Sequence, residues 1–257
     1  MRICQSSTTT LWCGREHLPR RGPRDARSTT QQQAWSIASL LLALTLLTGL
    51  VDAFSYLVLG HVFVANMTGN VVFLGFALAG APGFSIAASV LALASFWSGA
   101  LVGGSVGSRL GEHRGRLLHA AASIQAVFLA ASVVLAALAG NAMTEGFRYP
   151  LIVVLGIAMG IQNATARKLV VPDLTTIVLT LTITGTAADS ALAGGKGSLS
   201  GRRLISVVAM LIGALVGAAL VIHAHSVFPL VIALVVIVVV AATTWALGRS
   251  DPPWARA

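Results

Sequence analysis

Apolar residues in this chain fall into eight long runs separated by short polar stretches: 34–59, 62–80, 84–108, 117–140, 149–166, 174–193, 204–223 and 228–247. A helix needs about 20 apolar residues to cross the hydrocarbon core of a bilayer, and each run reaches or approaches that length. The runs are too long and too unbroken for barrel strands. Each is therefore predicted to be helical, because only helices and closed barrels satisfy the backbone in lipid. The predicted fold class is all-α, a polytopic membrane helical bundle.

Two runs are more polar than the rest. Run 62–80 holds Asn66, Thr68 and Asn70, and run 174–193 is studded with Thr and holds Asp189. Irregular backbone at membrane depth is tolerated only where protein buries it or where it lines a wet cavity. These two runs are read as broken or re-entrant segments, leaving six full crossings, with eight full spans as the alternative.

Charge separates the two topologies. Lys and Arg of short loops collect on the cytoplasmic side. Eight crossings with a cytoplasmic N-terminus would put Arg109, Arg114, Arg116, Arg167 and Lys168 outside. Six crossings place sixteen of the seventeen basic residues inside, with only Arg148 outside. Six crossings with both termini cytoplasmic is the reading this favours.

Composition agrees. The hydrophobic fraction is 56%, the charged fraction 10% and the mean hydropathy +0.86, against about 25% charged residues in a soluble domain. Lipid must cover such a surface. The net charge of +9 reflects loop placement and not a nucleic-acid partner, since no basic face interleaved with aromatics exists.

The chain divides into a basic tail (1–33), a first membrane unit (34–140), a second (149–247) and a C-terminal tail (248–257). The first tail is rich in Arg, Ser, Thr, Gln and Pro and is expected to be a disordered cytoplasmic leader or an over-long start. It contains no secretory signal. Cys4 and Cys13 both lie in it and offer neither a disulfide framework nor metal spacing.

The two membrane units echo each other. Gly49-Leu50-Val51-Asp52-Ala53 resembles Gly160-Ile161-Gln162-Asn163-Ala164, and Met67-Thr68-Gly69 resembles Leu174-Thr175-Thr176. The pentapeptide Gly99-Ala100-Leu101-Val102-Gly103 recurs as Gly213-Ala214-Leu215-Val216-Gly217. Three crossings per unit would invert the second copy. Inverted repeats with broken helices are a transporter architecture, with the substrate site near the midplane where the breaks meet.

The candidate chemistry lies at those breaks. Asp52 is a carboxylate inside a span, which costs about 2.5–3.5 kcal/mol on insertion scales and marks function by default. It suits a proton, cation or substrate contact, or else it caps the broken segment after it. Met67-Thr68-Gly69-Asn70 is read as the break before a half-helix over 71–79, whose open N-terminus would suit an anion or a polar group. Asn66, Thr68 and Asn70 could equally bond neighbouring helices. Asn163 stands where Asp52 stands in the first unit. Asp173, Thr175 and Thr176, behind Pro172, mirror the break in the second. Gly99, Gly103 and Gly107, with Gly213 and Gly217, form small-residue faces for close packing, including contact between the halves. The histidines are scattered, so no metal and no cofactor is expected. No catalytic triad, phosphate loop or carboxylate pair is present, so an enzyme is the minority reading; its best pair would be Asp52 with His61.

The stretch GLVDAFSYLVLGHVFVANMTGNVVFLG, from Gly49 to Gly75, resembles the signature of the YoaK-like family of bacterial inner-membrane proteins, a domain of unknown function. VFVANMTGN, the preceding Gly49 and Asp52-Ala53, and GIQNATAR carry the likeness, which spans about 36–247. It implies a bacterial inner-membrane protein of roughly six spans and hands over no reaction. The function expected is a small-solute transporter with a polar path at the two breaks, with an unidentified small molecule and the lipid bilayer as partners. The alternatives are a non-transporting scaffold, dimeric through its glycine faces, and an intramembrane enzyme.

Overall fold

The computed structural model describes residues 23–110, 113–140, 143–169, 184 and 200–249. Seven helices are defined within them: α1 (Pro23–Val58), α2 (Met67–Leu78), α3 (Ile86–Leu110), α4 (Arg114–Ala139), α5 (Glu145–Leu169), α6 (Ser200–His223) and α7 (Phe228–Arg249). Asp173 and the run 174–193 apart from residue 184, including Thr175, Thr176 and Asp189, lie outside the described residues.

Six helices contain stretches long and apolar enough to cross a membrane, the first being Ser39–Val58 within α1. Helix α1 itself starts at Pro23, eleven residues before the apolar run begins at Ala34. Proline is pre-organised for a first helical position, and no helix breaker lies between it and the apolar run. The leader expected over 1–33 is thus helical from Pro23 onward.

Helix α2 is the exception in length. Twelve residues rise about 18 Å, too little for a hydrocarbon core of about 30 Å. Its flanks explain the rest. The His61 ring bonds the Gly83 carbonyl at 3.0 Å, so the chain before α2 and the chain after it return to one place. Run 62–80 enters and leaves on the same side, as an irregular, bent stretch followed by a short helix.

Small residues set the helix pairings. Without a hydrophobic drive between helices in lipid, close backbone approach supplies the attraction. A Cβ at Gly99 would overlap the Ile157 carbonyl, and one at Gly103 would sit 2.9 Å from the Ile161 oxygen, so α3 lies against α5. A Cβ at Gly213 would overlap the Leu46 carbonyl, and one at Gly217 would sit 3.0 Å from the Leu50 oxygen, so α6 lies against α1. Numbers rise together in both seams, hence both pairs run parallel. The partners correspond residue by residue. Gly49 faces Met210, Gly213 and Ala214, and Gly160 faces Phe96, Gly99 and Ala100. An offset of 111 carries Gly49 to Gly160, and one of 114 carries the second trio to the first. Gly107 meets only the aliphatic stem of Lys168.

Helices α1 and α5 are the most buried and form the centre, antiparallel to each other. Gly60 beyond the end of α1 touches the Arg148 guanidinium at the start of α5, while Gln162 near the end of α5 reaches Leu44. Helices α4 and α7 close the bundle, tied by His119 Nδ1 and the Ala241 carbonyl at 3.0 Å. Leu211, Leu215, Val235 and Trp97 project from the outside, as lipid-facing residues do.

These directions decide the crossing number. Helix α1 ends where α3 and α5 begin, and α5 ends at the side where α1 and α6 begin. Six crossings satisfy all of these contacts. Eight would put Gly60 and Arg148, and likewise His61 and Gly83, about 30 Å apart. With Cys4 and Cys13 replaced, single cysteines at Gly83 and Ser226 should react with an impermeant maleimide from one face of the membrane. One at His113 should react only from the other.

Candidate functional site

The first break is built around one irregular, bent stretch, 62–66, between α1 and α2. Its backbone can join no helix ladder, yet Val62 and Val64 are fully buried, so its polar groups need partners. Two side chains provide them. Asp52 Oδ1, one and a half turns from the end of α1, accepts the N–H of Val64 at 3.2 Å and of Ala65 at 2.9 Å. Asn70, in the first turn of α2, accepts the Phe63 N–H at 2.9 Å and donates to the Phe63 carbonyl at 2.6 Å. Both are buried.

Gly69 serves the same residue. A Cβ there would stand 2.7 Å from the Phe63 ring, so only glycine lets that ring lie on the helix. Phe63 also stacks on Tyr56, with centroids 5.1 Å apart, and contacts Phe73. Phe73 and Phe76 continue the cluster to Phe84, which precedes α3. The break is thus a clamped, aromatic-packed turn. His61, left-handed at φ 58°, packs edge-on against Tyr56 and bonds Gly83, not Asp52.

Helix α2 begins at Met67 and not at Val71. Thr68, Gly69 and Asn70 form its first turn instead of the break before it, because Asn70 is drawn back onto Phe63. Asn66 is the N-cap residue but makes no side-chain capping bond. Asn66 and Thr68 are exposed, leaving the first-turn amides of α2 open at one face.

The centre of the bundle holds a second polar group. Thr45, Thr48, Asp52 and Ser55 are all buried on α1. Their spacing of three, four and three residues lines one helical face. Across from it, Gln162 on α5 donates to Thr48 Oγ1 at 2.8 Å and to the Leu44 carbonyl at 3.3 Å. Gln125 on α4 donates to Gln162 Oε1 at 2.6 Å. Three helices are thereby joined by a directed chain of amides at membrane depth. Next to it lies a cavity of about 10 Å³, lined in part by Gln125, Gln162 and Thr165.

Gln125 and Gln162 are the residues sequence reasoning misses. Gln162 stands in phase with Leu151, Leu155, Ala158, Thr165 and Leu169, the buried face of α5. Asn163, its neighbour and the sequence candidate, lies about 100° round the helix, is half-buried and bonds the Met159 carbonyl of its own helix. The usable signal is the amide in phase with the apolar face.

Comparison with known proteins bears on the same span. The family described as "Protein of unknown function (DUF1275)" matches residues 40–243. The UPF0700 transmembrane protein YoaK of Bacillus subtilis (strain 168) is 35% identical over 153 residues, covering 59% of this chain and 66% of that protein. The alignment thus spans just under two thirds of that relative. No solved structure matches.

Proposed function

The chain belongs to the DUF1275 family and is a multi-pass membrane protein, and from that premise we propose that it is a small-solute transporter or permease of the bacterial inner membrane. The single observation that carries the reading is the buried Gln125–Gln162–Thr48 chain at the meeting of α1, α4 and α5. Polar side chains between helices in lipid gain little net stability, about 0.6 kcal/mol on average. Two amides and a carboxylate buried on α1, α4 and α5 are therefore better accounted for by a solute path than by cohesion. The buried polar face of α1 leads from this centre to the first break.

Two further observations support the architecture. The matched glycine seams, α1 on α6 and α5 on α3, are the packing that two inverted three-span repeats would make when each lends its first helix to the other. The basic residues of the loops orient both termini toward the cytoplasm. The glycine faces are filled within one chain, so a homodimer would use another surface. The protein carries out no chemistry in this reading and takes no cofactor.

The test is flux. Full-length protein in proteoliposomes should admit one or more members of a panel of small neutral, anionic and cationic solutes, read by light-scattering swelling, faster than protein-free vesicles. Gln162→Leu should cut that rate about tenfold, equivalent to about 1.4 kcal/mol, while the protein stays folded. If no solute passes, and Gln162→Leu only raises thermal stability, the protein is a scaffold.

A further inference from the structure

The hydrogen-bond directions in the central amide chain leave one acceptor unclaimed. Thr48 donates its hydroxyl to the Leu44 carbonyl at 2.8 Å, so its oxygen and that carbonyl can only accept from Gln162. The Gln162 nitrogen must therefore face α1, and its oxygen must face Gln125. Gln125 in turn must offer its nitrogen, at 2.6 Å. The Gln125 oxygen is left over, with no hydrogen bond made to it among the described residues.

Thr165, one turn along α5 from Gln162, supplies the second open group. Its side chain is buried to 2% exposure, and its Oγ1 has no partner among the described residues. A helical threonine ordinarily returns its hydroxyl to its own backbone one turn back, as Thr45, Thr48 and Thr244 do here. Thr165 does not, and both it and Gln125 line the same cavity, whose other walls include Gln162, Leu44, Leu118 and Ile237. An unpaired buried hydroxyl in lipid is costly, so something must occupy the space it faces.

We propose that this cavity is a binding site for one ordered water molecule, which bridges Thr165 on α5 to the Gln125 amide oxygen on α4. The cavity is half-open, and its volume of about 10 Å³ has room for about one water. The water donates to Gln125 Oε1 and exchanges a hydrogen bond with Thr165 Oγ1. That extends the relay to Thr165–water–Gln125–Gln162–Thr48–Leu44. An alkali cation fits poorly. It wants about six oxygens, whereas two are unclaimed here and no carboxylate lines the site. The bridge makes the α4–α5 contact wet at its core.

The sign of one substitution tests this. Thr165→Val keeps the shape and removes the hydroxyl. With the water present it strips a partner from a filled site, and the thermal midpoint of the full chain in nanodiscs should fall by about 2–4 °C. With the cavity empty it removes an unpaired polar group, and the midpoint should rise, which would overturn the proposal. A high-resolution structure of the wild-type protein should show density within hydrogen-bond distance of both Thr165 Oγ1 and Gln125 Oε1, and none there would overturn it too. Replacing sodium or potassium by choline at fixed ionic strength should leave the midpoint unchanged. A cation-specific shift lost in Thr165→Val would assign the site to an ion instead.

Discussion

Gly160→Val should yield essentially no folded protein. The Cβ alone would overlap the Phe96 carbonyl oxygen and stand 2.7 Å from the Ala100 nitrogen. Those are backbone atoms of a rigid helix, so no rotamer change can relieve the clash. The α3–α5 seam must open along its length instead. Overpacked cores typically lose about 1–3 kcal/mol when side chains can yield. Here the loss should exceed that range, because the seam's attraction is itself close backbone contact. Gly49→Val should fail in the same way at the α1–α6 seam, where Met210 and Ala214 take the places of Phe96 and Ala100. Gly104→Ala is the control. It lies on α3 with open space around it, nothing standing within 4 Å of where a Cβ would sit, and alanine should gain up to about 1 kcal/mol of helix propensity there. Monodisperse elution in detergent and urea unfolding read all three. A Gly160→Val protein as stable as Gly104→Ala would remove the basis for the packing described here.

The glycines that face Gly160 and Gly49, namely Gly99 and Gly213, with Gly103 and Gly217, are legible in the sequence because their spacing is physical: every fourth residue small on one face, repeated at an offset of 114. The six crossings are legible for a similar reason, since loop charge responds to the membrane directly. What the letters do not reveal is the direction of side chains across space. Asp52 and Asn70 both stand out as polar groups in apolar runs, but only the folded backbone shows them converging on 63–65. Thr68, Gly69 and Asn70 are break-forming types, and by propensity alone the half-helix starts at Val71. Tertiary contacts with Phe63 override that propensity and move the start to Met67. Gln125 and Gln162 come from helices 37 positions apart, and nothing local to either marks the other as its partner. The second break, expected around Asp173, Thr175 and Thr176, lies outside the described residues and is read from the sequence alone.

Asp52 offers the sharpest separation between architecture and transport. Asp52→Ala orphans the buried N–H groups of Val64 and Ala65 together. At about 1–3 kcal/mol for each unsatisfied group, the loss should be about 2–6 kcal/mol, which at its upper end equals the whole stability of a marginal domain. Asn70→Ala should cost a similar amount, since it strands both the N–H and the carbonyl of Phe63. Asp52→Asn is different. Its amide oxygen can still accept from Val64 and Ala65, while the titratable acid is gone, so unfolding should shift by about 1 kcal/mol or less. Flux through that folded variant then isolates the titratable acid. If flux falls while the fold holds, the carboxylate itself meets the solute or its coupling ion. If flux is unchanged, Asp52 acts only by fixing the break. The path then runs through Gln125 and Gln162, whose amides carry no charge and select a solute by hydrogen bonding alone.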